Sequence, residues 1–137
     1  MEKKIPDFIG FWQSEASLHE GLFFLNIQNI EEGNKVRGDI LDLLGLARFE
    51  GEMTKWKVSF CKKYFTGIPA RLSLTSKEIV YDGEMTREGI YVGKYHIRGE
   101  SSSGTFKLEP VPNPMPSTLK DFYLGLEQAC LEGRPII

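Results

Sequence analysis

The side chains in this sequence best suited to holding a small molecule are three tyrosines, Tyr81, Tyr91 and Tyr95, and two tryptophans, Trp12 and Trp56. Each joins a broad apolar ring to a polar tip, and a buried phenol must find a hydrogen-bond partner. Two outcomes follow for the tyrosines. Either each hydroxyl meets a backbone carbonyl or water at the end of its element, or several converge on the polar group of a ligand whose apolar body stacks on the tryptophans. Other chemistry is poorly provided for. His19 and His96 are the only histidines, and neither has ligand-type neighbours at metal-binding spacing. Glu50 with Glu52, and Asp82 with Glu84, read as pairs on a solvated wall rather than as carboxylates flanking a cleft. The run Ser101-Ser102-Ser103 is turn chemistry and lacks the Gly-x-Ser-x-Gly elbow of a serine hydrolase. No catalysis, metal or cofactor is expected.

The elements that must position these residues show period-two alternation. It is clearest from Ile90 to Glu109, where Tyr91, Tyr95 and Ile97 oppose Lys94, His96 and Arg98. A Gly/Ser-rich turn then leads to Phe106 and Leu108 set against Thr105, Lys107 and Glu109. This is a β-hairpin with one dry face. The pattern recurs upstream in Phe8 to Ser14, Gly21 to Glu31, Lys35 to Leu43 and Leu46 to Met53. It continues in Trp56 to Cys61, Ala70 to Thr75 and Ile79 to Met85. The inward set becomes Trp12, Phe49, Met53, Trp56, Phe60, Leu72, Tyr81, Tyr91, Tyr95, Phe106 and Leu108. In the second strand Phe23, Leu25 and Ile27 are the better inward choice, although its faces stay open. Short connections favour neighbours in sequence pairing in space, and closing the sheet removes its edges. The expected fold is mainly β, a single antiparallel up-and-down barrel of about eight to nine strands. Gly38, Gly51, Gly83 and Gly93 fall on the inward face, so the lumen could be a packed core or an apolar pocket.

Prolines in residues 110–116 end the sheet. A C-terminal helix over 117–132 follows, with Ser117 as its expected N-cap and Asp121 in its first turn. Leu119, Phe122, Leu126 and Cys130 share one face with Tyr123 beside them, and the helix should stop near Gly133. That stripe must bury against the barrel wall, an open end or a partner chain, a homodimer through this helix being one such arrangement.

With 137 residues, the chain is expected to form one domain over 1–137: barrel 8–109, Pro-rich linker 110–116 and helix. A formal charge of -2 argues against nucleic acid as a partner, and no stretch is apolar for long enough to cross a membrane as a helix. The local basic cluster Lys55, Lys57, Lys62 and Lys63 is offset by Glu50 and Glu52. Cys61 and Cys130 form neither a disulfide framework nor a zinc spacing. With no signal-peptide pattern at the start, a cytoplasmic location is expected.

Gly10-Phe11-Trp12 in the first strand resembles the Gly-x-Trp of the calycins, the superfamily of lipocalins, fatty-acid-binding proteins and avidins. The resemblance implies a barrel whose Trp closes one end, often beneath an Arg or Lys from the last strand. Lys107 and Arg98 are the nearest candidates for that cation. It also implies a binder of small molecules, although avidin's polar biotin-binding residues have no counterparts here. The leading expectation is a barrel holding a largely apolar ligand in its lumen, lined by Trp12, Trp56, Tyr81, Tyr91 and Tyr95. The alternative is a filled barrel acting as a structural or interaction protein through its helix or outer wall. Enzymatic chemistry such as isomerisation ranks third.

Overall fold

A computed structural model describes residues 5–16, 19–64 and 77–132. Eight strands follow one another as β1 (Phe8–Ser14), β2 (Glu20–Glu31), β3 (Lys35–Asp42), β4 (Gly45–Met53), β5 (Lys57–Tyr64), β6 (Ile79–Met85), β7 (Tyr91–Ile97) and β8 (Ser103–Pro110), with helix α1 (Ser117–Leu131) after them. Every strand pairs antiparallel with its neighbours in sequence, and β1 pairs with β8 to close the barrel. Strand β5 lies directly beside β6, with Phe60 opposite Tyr81. The strand expected over Ala70 to Thr75, with Leu72 as an inward residue, falls outside the described residues. The barrel closes without it.

Alternation sorts the side chains into two cores. Inside the barrel lie Phe23, Leu25, Val36, Ile40, Phe49, Val58, Phe60, Tyr81, Tyr91, Phe106 and Leu108, all buried. The open faces of β2 are thereby resolved: Phe23, Leu25 and Ile27 point in, while Leu22 and Phe24 point out. The outward residues Phe24, Ile9 and Leu41 are also buried, because α1 lies over that part of the wall with Tyr123, Leu126 and Cys130. The edge-to-face pair Phe24–Tyr123, 5.0 Å between centroids, is the centre of this second core. Tyr123 fixes the helix further, since Asn26 donates to its hydroxyl at 2.8 Å.

Several details of the helix differ from the expectation. Ser117 is the first helical residue; Pro116 occupies the N-cap position, and no side chain caps it. The first helical bond already runs from Lys120 N–H to the Pro116 carbonyl at 2.9 Å, so the start moves back by one residue. Asp121 consequently lies beyond the first turn, which holds no acidic residue. Phe122 is 41% exposed: the buried line runs through Tyr123 and leaves Phe122 on its flank. Glu132 is the C-cap, its N–H bonded to the Gln128 carbonyl at 3.0 Å.

The inward glycines leave no open lumen. A Cβ on Gly51 would fall 2.0 Å from the Ser59 carbonyl oxygen, so the missing side chain serves close approach of β4 and β5. The space above Gly83 is taken by the Phe106 ring, whose tip stands 2.9 Å from where a Cβ would be. Across the middle of the barrel Phe60 and Tyr81 stack at 4.6 Å and 10°. Phe106 meets Tyr81 edge-on at 5.2 Å, and Phe49 meets Phe60 at 5.6 Å. An eight-stranded interior is just wide enough for side chains to fill. In its central layer, this one is filled.

Candidate functional site

Beyond the ring layer, towards the C-terminal ends of β3 and β5, the lumen turns polar. Extending the alternation of β5 past Phe60 brings Lys62 and Tyr64 inward, and the same parity along β3 brings Asp42 inward after Ile40. Lys62 is only 2% exposed. Its ammonium donates to Asp42 Oδ2 at 3.4 Å and to the Tyr64 hydroxyl at 3.0 Å. Three aromatic faces enclose it, with ring centroids at 4.8 Å for Tyr64, 5.4 Å for Phe23 and 5.4 Å for Tyr81. An ammonium over ring faces is attracted by their quadrupoles, more so once desolvated.

Asp42 is held independently of the lysine. Its Oδ1 accepts from the Leu44 and Gly45 backbone N–H groups at 2.8 and 3.1 Å, tying it to the turn between β3 and β4. The Tyr64 hydroxyl donates to its Oδ2 in a short hydrogen bond. Burial disfavours charge on Lys62, but the oxygens of Tyr64, Tyr81 and Asp42 outweigh it and hold the ammonium pKa well above the usual lysine range. Tyr64 and Tyr81 are pushed up as well, chiefly by burial, and stay neutral phenols. Lys62 is therefore a permanent cation at neutral pH, suited to electrostatic work and unsuited to nucleophilic attack by a free amine.

At this same end Trp12 and Tyr95 form a ledge of partly buried rings, edge to face at 6.3 Å. Trp12 packs over Gly21, where a Cβ would stand 2.7 Å from the indole nitrogen. Tyr95 lies 5.7 Å from Tyr81 between centroids. Of the five residues singled out in the sequence, the structure thus brings together Trp12, Tyr81 and Tyr95. Tyr91 stands at the opposite end, where its hydroxyl donates to the Thr54 backbone carbonyl and its ring meets Phe8 at 6.2 Å. The inward placement of Trp56 is overturned: it is 64% exposed. Strand β5 begins only at Lys57, and Trp56 sits in a turn whose backbone N–H bonds Thr54 Oγ1 at 3.2 Å, so strand alternation does not reach it.

The cation expected over Trp12 is also placed elsewhere. Lys107 points to solvent, paired in register with Phe11 and Val92, and Arg98 bonds Glu78 at 2.6 Å on the outer wall. Lys62, Asp42 and Tyr64 are the residues that sequence reading misses. Their signal is the strand parity itself, which holds along β3 to Asp42 and continues past Cys61 to bring Lys62 and Tyr64 inward.

Outside the lumen, a shallow groove on the wall is lined by Glu31, Lys35, Arg37, Glu50, Glu52, Cys61 and Glu78, residues of mixed charge. Among the described residues, no group of three or more His, Cys, Asp and Glu could hold a metal ion, and no helix is long and apolar enough to cross a membrane. Cys61 and Cys130 are free. No protein-family model, curated protein or solved structure matches the chain.

Proposed function

We propose that this protein is a calycin-like barrel that binds a small, largely apolar molecule at one end of its lumen, on Trp12, Tyr81 and Tyr95, without transforming it. The observation that carries the reading is the partly exposed Trp12–Tyr95 ledge beside a buried, caged ammonium, at one end of a barrel whose central layer is filled. Binding sites are characteristically apolar surfaces with a few convergent polar groups and perturbed ionisable residues. The ligand therefore sits higher than a mid-lumen occupant would, and Tyr91 and Trp56 stand outside its reach. The placement of Gly10-Phe11-Trp12 in β1 and the up-and-down topology support the calycin comparison.

Trp56→Phe leaves Trp12 as the single tryptophan reporter. Titrating that variant with a panel of small aromatic and aliphatic compounds should give a saturable change in Trp12 emission for some of them. A folded variant silent across the whole panel overturns the reading.

The filled central layer favours a second reading, an interaction protein. Phe122, Leu124 and Leu131 remain exposed on α1 after its other side has packed on the wall. Light scattering decides it: a native dimer that becomes monomeric on replacing these three residues by serine supports self-association through the helix.

A further inference from the structure

We propose that α1 is a reversible strap: it leaves the wall and unwinds as one unit while the barrel stays closed, uncovering Phe24, Ile9 and Leu41. Three observations carry it. The barrel owes the helix none of its pairing. β1 and β8 complete the ring, and among the described residues no backbone hydrogen bond joins α1 to a strand. Side chains hold α1 in place, with Tyr123, Leu126 and Cys130 set against Phe24, Ile9 and Leu41.

Secondly, the helix is poorly built to stand by itself. No side chain caps its N-terminus, its first turn holds no acid and its last turn holds no base. Neither terminal turn therefore carries the charge that would offset the helix dipole. Gly125 lies mid-helix, and a Cβ placed there would meet nothing within 4 Å. The missing side chain serves no close packing and only loosens the helix. A helix of 15 residues is marginal in water without the surface it docks on, so release and unwinding are coupled.

Thirdly, the docked interface hides an unmet acceptor. Asn26 Nδ2 donates to the Tyr123 hydroxyl at 2.8 Å, whereas Asn26 Oδ1 is buried with no hydrogen-bond partner. A buried acceptor left unpaired carries its full desolvation cost. Water reaches that oxygen once the helix lifts, so the residue that fixes Tyr123 also favours its release. Weakly anchored segments of this kind open far more often than the core on which they rest.

Native-state amide hydrogen exchange, followed by NMR at a series of low urea concentrations, tests the strap. Amides from Phe122 to Cys130 should share one protection factor, about tenfold or more below the slowest amides of β4 to β7, and a smaller urea slope. Protection graded towards the helix ends, which fraying gives, overturns opening as a unit. Values and slopes equal to those of the strands overturn a separate opening altogether. Three variants locate the event. Val58 lies in the barrel core, apart from the residues under α1. Val58→Ala should lower strand protection about tenfold and leave α1 protection unchanged, and a parallel fall in both overturns the proposal. Phe24→Ala should lower α1 protection about tenfold or more; an unchanged value detaches the opening from the wall and overturns the proposal. Gly125→Ala should raise α1 protection about two- to fivefold, the worth of a glycine inside a helix, and no change overturns the unwinding step.

Discussion

The two ends of this barrel satisfy their polar groups in opposite ways. At the Tyr91 end, one phenol donates to the Thr54 carbonyl, and Thr54 in turn orders the β4–β5 turn by accepting from the Lys57 N–H at 3.0 Å. Phe8, Met53, Met85 and Val58 close the rest with apolar packing. At the Lys62 end, a cation, a carboxylate and the Tyr64 phenol share one network beside partly exposed rings. Burying charges costs several kcal/mol per ion unless geometry and extra hydrogen bonds compensate, so apolar closure is the simpler way to stabilise a barrel mouth. Among the described residues the two buried charges, Asp42 and Lys62, both lie at this end, so its closure is the costlier of the two.

The largest effect should come from splitting the charged pair. Asp42→Ala leaves Lys62 buried without its counter-ion and costs the β3–β4 turn two hydrogen bonds; urea unfolding should show a loss of about 3–5 kcal/mol. Removing both charges together in Lys62→Met/Asp42→Asn should cost much less, and a double variant as unstable as Asp42→Ala would contradict a coupled pair. Phe60→Ala, which opens the ring layer between the two ends, should cost about 3–5 kcal/mol by the same measurement.

Alkaline pH sharpens the contrast. Lys62, Tyr64 and Tyr81 all hold their protons more tightly in the folded chain than in the unfolded one. Stability from these groups is fully present below the unfolded values near ~10, and it is lost as pH rises through the folded ones. Urea midpoints measured from pH 7 to 11 should therefore fall above about pH 10, less steeply in the double variant. At the other end, Tyr91→Phe should cost about 1 kcal/mol, the net worth of one hydrogen bond, with a further part from the carbonyl left behind. Trp56→Phe should stay within about 0.5 kcal/mol of native, as expected for an exposed turn residue, and this licenses its use in the fluorescence test.

Most of the fold is legible because a sheet with a dry interior writes itself as alternation. Tyr95 and Phe106 fall inward as the hairpin pattern requires, and Phe23, Leu25 and Ile27 do so in a strand whose opposite face is also greasy. That second greasy face is explained only by α1, whose docking on Phe24 and Ile9 is a long-range contact that periodicity cannot specify. The site is less legible for a related reason. A lysine at an inward position contradicts the rule that charges stay outside, so parity alone does not announce it. What makes Lys62 tolerable inside is Asp42 and Tyr64, and their proximity depends on the β3–β4–β5 register. Trp56 errs the other way: an apolar residue next to a strand reads as part of it, although the turn's hydrogen bonds end the pairing first.

Because Asp42 and Lys62 lie twenty positions apart yet answer for each other's burial, neither is free to drift by itself. In any set of descendants from a common ancestor, substitutions at these two positions should arrive together or not at all, since a lineage carrying only one of them must pass through a poorly folded intermediate. Exposed positions such as Trp56 carry no such constraint and should vary independently of everything around them.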